Sequence, residues 1–205
     1  MLQELQRQAD ATGELDWSLH HVDGTVVRAH QHAAGAQKRR RTTTGEAMAT
    51  AEHMDDALGR SKGGFSTKIH LRAEGDGKPI ALLITAGQRH EQSVFETLME
   101  EGAVKRAGRG RPRIRPERVV GDKGYSSRKL RSYLRKRGTG AVIAHHKGEQ
   151  QSGCFDKASY RKRNVVERLV NRLKQFRRIS TRYEKRGVNY VGMLTIAAIV
   201  LWLPV

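Results

Sequence analysis

In a chain this rich in cations, the acids are the informative residues. Between Tyr160 and Arg178 stand eight Lys and Arg and a single acid, Glu167. Read as a helix at about 100° per residue, the stretch places Tyr160, Arg163, Glu167 and Lys174 within one sector of about 60°. Val166, Leu169, Leu173 and Phe176 fill a neighbouring sector and give the helix a core face. An i,i+4 ion pair between Arg163 and Glu167 would only stabilise the helix slightly, and a solvated face would not need such order. Two further acids sit at strand positions. Asp23 lies in His21-Val22-Asp23-Gly24-Thr25, and Asp122 ends a strand in Val119-Val120-Gly121-Asp122-Lys123-Gly124-Tyr125. Strand ends in mixed sheets are where sites are built, although Asp122 alone reads equally well as a turn or cap residue. Two strand Asp and one helix Glu are hard oxygen donors suited to Mg²⁺ or Mn²⁺. Two such ions about 4 Å apart could activate a water and stabilise the leaving oxygen of a phosphodiester.

The elements that must position these residues follow from the patterning. His20 to Ala29 reads as a strand. Phe65 to Arg72 and Pro79 to Thr85 read as a hairpin around Glu74-Gly75-Asp76-Gly77. A helix follows over Gln92 to Glu101, then a basic loop over Lys105 to Arg118, and a strand over Arg118 to Gly121. Ser127 to Arg137 is a helix, Ala141 to Ala144 a strand, and Ser159 to Arg178 one long basic helix. That order predicts an α/β fold, a mixed sheet flanked by helices. Residues 1–16 read as a helix with Leu2, Leu5 and Ala9 on one side and nothing of its own to pack on. Residues 17–205 form the domain, with a basic flexible insert at about 30–64 that holds no regular period.

The charge balance agrees with a phosphodiester substrate. Lys plus Arg number 39 against 21 Asp plus Glu, a formal charge of +18. That points to a polyanion, most often nucleic acid. Lys38, Arg39, Arg40 and Arg41 form one basic run, and Arg109-Gly110-Arg111-Pro112 has the look of a minor-groove hook; a solvated loop with general phosphate affinity is the plainer reading of each. The single cysteine, Cys154, excludes a disulfide scaffold and reads as a packing residue. The nine His show no metal-binding spacing. Gly121 to Gly124 lacks the phosphate-loop pattern. Met1 to Gly13 is no signal peptide, and the apolar run Val188 to Leu203 is too short for a membrane span and reads as a buried C-terminal helix. No membrane association is expected, and a reducing, cytoplasmic home is.

Tyr160, Arg163, Glu167 and Lys174 fit the spacing Tyr-x2-Arg-x3-Glu-x6-Lys at every position. With the two Asp segments in order, the chain resembles bacterial insertion-sequence DDE transposases, most of all the insertion-sequence-five-like group, over about residues 14–204. The resemblance implies an RNase H-like catalytic domain. Asp23, Asp122 and Glu167 would be catalytic metal ligands for two Mg²⁺ or Mn²⁺ ions. Tyr160, Arg163 and Lys174 would hold DNA beside them. It further implies water attack at the element's end, then attack of the freed 3′ hydroxyl on target DNA, in a homodimer on two ends in the bacterial nucleoid. Family members carry an N-terminal helical segment that binds the element's ends; its lack here leads us to expect a truncated or split copy, its end binding weak or supplied by a separate N-terminal chain. The rival readings are a nuclease that only cuts and a non-catalytic basic nucleic-acid-binding protein.

Overall fold

The computed structural model describes residues 1–34, 57–61, 63–146 and 155–203. Its strands are β1 (Leu19–Ala29), β2 (Gly59–Ser61), β3 (Gly64–Ala73), β4 (Pro79–Ala86), β5 (Arg118–Gly121), β6 (Gly140–Ile143) and β7 (Thr181–Arg182). Its helices are α1 (Leu2–Thr12), α2 (Gln31–Ala34), α3 (Phe95–Glu101), α4 (Arg128–Lys136), α5 (Lys157–Arg161), α6 (Asn164–Gln175), α7 (Arg177–Ser180) and α8 (Gly187–Trp202).

The strands make one mixed sheet in the order β2-β3-β1-β5-β6, with β4 also on β3 and β7 also on β1. β1, β3 and β4 are antiparallel neighbours, while β5 and β6 run parallel to β1. This is the expected RNase H-like arrangement. Its two faces follow the period-2 alternation of the strands. On one face, Val22, Ala81, Val119 and Ile143 pack against Phe95, Leu98 and Met99 of α3 and Leu130 and Leu134 of α4. On the other, Val27, Ile69, Leu71 and Ile84 pack against α6, α7 and α8 through Val166, Leu169, Leu173, Ile179, Tyr190 and Leu194.

Three expectations change. The long basic helix is not continuous: from Lys162 to Val166 the backbone bonds tighten to i→i+3, so Tyr160 lies on α5 and Glu167 on α6. The N-terminal helix does have a partner. Leu2, Leu5 and Ala9 pack with Leu15, Trp17, Ile80, Val104 and Trp202, and buried Gln6 donates to the carbonyls of Pro79 and Ile80. The apolar C-terminal helix buries Tyr190, Leu194, Ala198 and Trp202 but leaves Val188, Ile196 and Val200 exposed. Among the described residues no helix is long and apolar enough to cross a membrane. Of the basic insert, the flanks form α2 and β2, while Lys38, Arg39, Arg40 and Arg41 lie outside the described residues, as does Cys154.

Candidate active site

The site begins with a gap in the sheet. β1 pairs with β5 from Leu19 to His21 and with β7 at Arg28 and Ala29. β3 occupies the opposite edge of β1. Asp23 therefore stands just beyond the last β1–β5 pair, and β5 ends at Gly121, so Asp122 emerges beside it. The chain leaves β1 toward β3 and β5 toward β6. Adjacent parallel strands whose connections diverge form a switch point, where open sheets place their ligands.

The gap is electrostatically loaded. Burial, above all, pushes the Asp23 carboxyl up to about 6; the Asp122 charge adds to the rise, while a hydrogen bond from the Gly24 N–H and the Arg163 guanidinium oppose it. That Gly24 bond is 2.9 Å long. Asp122 Oδ1 is buried and takes no hydrogen bond among the described residues. The same holds for the Tyr125 hydroxyl and for both ring nitrogens of His21. Burial holds His21 neutral, its pKa lowered to about 4. Buried polar atoms without partners are uncommon in folded proteins and call for an explanation.

Arg163 links the gap to α6. Its Nη2 donates to Glu167 Oε1 at 2.6 Å, and its guanidinium carbon lies 6.0 Å from the centre of the Tyr160 ring. Three members of the sequence stripe thus touch in series, despite the tightened turn. Tyr160 packs with Leu19, Val120, Val142 and Phe155. Lys174 lies seven residues beyond Glu167 on α6, about 10 Å along its axis.

Residues 21–203 match the family described as transposase DDE domain. The chain belongs to that family. Among relatives of this DDE domain is a transposase for insertion sequence element IS402 of Burkholderia cepacia. It is 35% identical over 121 residues, 59% of this chain and 55% of the relative. The chain thus spans about half the length of that relative. A transposase for element IS6501 of Brucella ovis is 24% identical over 140 residues, 68% of this chain and 99% of the relative. The crystal structure of the Mos1 strand transfer complex overlaps 97% of this chain and 59% of its own at 12% identity and a TM-score of 0.36, too loose a likeness to carry an argument.

The donor chemistry of the DDE domain suits a divalent cation in part. Asp23 and Asp122 offer hard oxygens, and Asp122 Oδ1 has free lone pairs. Glu167 is held by Arg163. Among the described residues no three His, Cys, Asp or Glu side chains are gathered closely enough to hold an ion. Arg109 and Arg111 are exposed in a loop closed by paired backbone bonds between Val104 and Arg113. That loop precedes β5, and Arg113 stacks over Trp17 just before β1. The loop therefore sits at the amino ends of these strands, away from the aspartates.

One acid at the gap escapes a reading of the sequence. Glu91 opens a 3-10 turn, Glu91–Val94, between β4 and α3. A side chain at Gly24 would meet Glu91 Oε1 at 3.0 Å, and one at Gly124 would meet Glu91 Oε2 at 2.4 Å and Asp122 Oδ1 at 2.9 Å. The signal was present: each Asp motif carries a glycine one or two residues after its Asp, and glycine beside a charged group marks close approach.

Proposed function

We propose that this chain is the catalytic part of an insertion-sequence transposase. It hydrolyses a phosphodiester at the element's end with Mg²⁺ or Mn²⁺ and joins the freed 3′ end to target DNA. The observation that carries the reading is the meeting of Asp23 and Asp122 at the β1–β5 switch point, with an unsatisfied carboxylate oxygen turned into the gap. Membership of the DDE family and the +18 charge support it.

Asp23, Asp122 and Glu167 would hold the two metal ions. Bound there, the ions would lower the pKa of an attacking water and stabilise the leaving oxygen. The chain's own contribution is positional. Glu167 turns into the gap when Arg163 lets it go, and the freed guanidinium then takes a phosphate oxygen, to which its planar fork is suited. Tyr160 and Lys174 flank the same route for the backbone of the DNA. Arg109 and Arg111 supply phosphate contacts further out, Lys38, Arg39, Arg40 and Arg41 supply more by their charge, and each contact neutralised adds to the salt dependence of binding. A homodimer on DNA, and a separate N-terminal chain that recognises the element's ends, belong to the same reading.

Nicking of supercoiled plasmid with Mg²⁺ or Mn²⁺ tests it, wild type beside Asp122→Asn. Cleavage by the wild type alone is expected. Equal nicking by both proteins would remove Asp122 from the chemistry.

A further inference from the structure

Glu91 is fixed on the side of the gap away from α6. Gln92 Nε2 beside it donates to the carbonyls of Gly124 at 2.9 Å and Ser126 at 3.2 Å, which pins the Glu91–Val94 turn to the segment that follows Asp122. Lys68 Nζ of β3 donates to Glu91 Oε1 at 3.1 Å, with both side chains largely buried. One carboxylate oxygen is thereby held by a cation. The other, Oε2, faces the same point beside Gly124 as Asp122 Oδ1, which has no hydrogen-bond partner among the described residues. Two like charges are not turned toward one point in a folded chain without something to gain from it.

Two glycines make this approach possible. Gly24 follows Asp23 and leaves room for Glu91 Oε1 and Cγ; Gly124, two residues after Asp122, leaves room for Glu91 Oε2. Both Asp motifs are thus cut away for the same third carboxylate. An independent sign comes from Tyr125. Its side chain is fully buried, its hydroxyl has no hydrogen-bond partner among the described residues, and the charges it faces are Glu91, Asp23 and Asp122. A phenol so placed is a donor waiting for an oxygen or a bound water.

From this geometry we infer that Glu91 is a metal-facing carboxylate of the catalytic centre, paired with Asp122 on the side opposite Glu167, and that Lys68 is its positioning partner. The inference rests on the reading of Asp23 and Asp122 as metal ligands. It adds a donor that the Asp-Asp-Glu signature does not contain. Lys68 leaves one oxygen of Glu91 engaged and orients the other; Gly24 and Gly124 keep its path open.

The test is Mn²⁺ binding by the full chain without DNA, followed by calorimetry and by the loss of the free-ion paramagnetic signal. Glu91→Gln keeps the size of the side chain and removes its charge. Gly124→Ala keeps the Glu91 carboxylate but crowds the point that its Oε2 shares with Asp122 Oδ1, so it tests that shared point even if Glu91→Gln folds poorly. Each is expected to weaken Mn²⁺ binding at least tenfold, and Asp122→Asn to abolish it. Wild-type affinity in both Glu91→Gln and Gly124→Ala, with binding lost in Asp122→Asn, would overturn the role of Glu91 and leave the proposed function standing. Unchanged affinity in all three variants, or no binding by the wild type, would overturn both.

Discussion

Buried charge appears in two forms on this sheet. Arg72 of β3 is fully buried, yet each arm of its guanidinium is used. It donates to His20 Nδ1 at 3.1 Å, to the Met99 carbonyl at 2.6 Å and to the Ile114 carbonyl at 2.6 Å. Arg182 of β7, equally buried, donates to Thr67 Oγ1 and to the carbonyls of Glu184 and Lys185. These cations tie distant segments together, with every guanidinium nitrogen of each engaged. The gap at β1 and β5 is the reverse. Among the described residues Asp122 Oδ1, the Tyr125 hydroxyl and both His21 nitrogens are buried without partners, and the carboxylates of Glu91 and Asp122 face one point. A satisfied network rigidifies a fold, and an unsatisfied one holds binding capacity in reserve. The contrast separates residues that build the sheet from residues that use it.

That contrast can be broken most forcefully at Arg72. Arg72→Ala strands three acceptors at about 1–3 kcal/mol each and opens a cavity, so a loss of at least about 3 kcal/mol is expected in urea unfolding. A loss under ~1 kcal/mol would show that the network is dispensable. Asp23→Asn should act in the opposite direction. Its carboxyl is shifted from 3.8 to about 6 by burial, so the folded state holds the proton more tightly than the unfolded one. Stability from this group is greatest below about pH 4, falls as pH rises to about 6, and stays reduced above. At ~1.4 kcal/mol per pKa unit, Asp23→Asn should gain up to about 3 kcal/mol at pH 7 and lose that part of the pH slope, while nicking disappears. A less stable Asn variant would place Asp23 among the structural residues. The smallest effect belongs to Glu167→Gln. Its ion pair with Arg163 is half-exposed, worth about 0.3–0.5 kcal/mol. Thermal unfolding should hardly move although nicking is lost; a stability loss above ~1 kcal/mol would make the pair part of the scaffold.

Much of the frame was legible because alternation and turn chemistry are local. The strands around Asp23, the hairpin around Gly75 and Gly77, and the helix capped by Ser127 all announce themselves within ten residues or so. Ser127 Oγ does accept from the Leu130 N–H. The turn at Lys162 to Val166 was not legible, since no Pro or Gly marks it. Nor was the seat of α1, because Trp17, Ile80 and Trp202 come from three distant parts of the chain. Of the candidate site, Asp23, Asp122, Arg163 and Glu167 could be picked out by type and spacing. Glu91 could not. An acid opening a short helix has a sufficient local reason in the helix dipole, and only the folded chain brings it over two glycines that precede and follow it by many residues.

The central position of β1 has a consequence for the order of assembly. β1 meets β3 through a separation of a few dozen residues, β5 only after about a hundred, and β7 only near the end of the chain. The hairpin side of the sheet can form early, while closure with β5 must await a long loop. Asp23 and Asp122 are brought together by that late closure, so their mutual repulsion is met after the antiparallel half is already in place. A chain still short of β5 during synthesis would carry a folded platform with Asp23 and no Asp122 beside it.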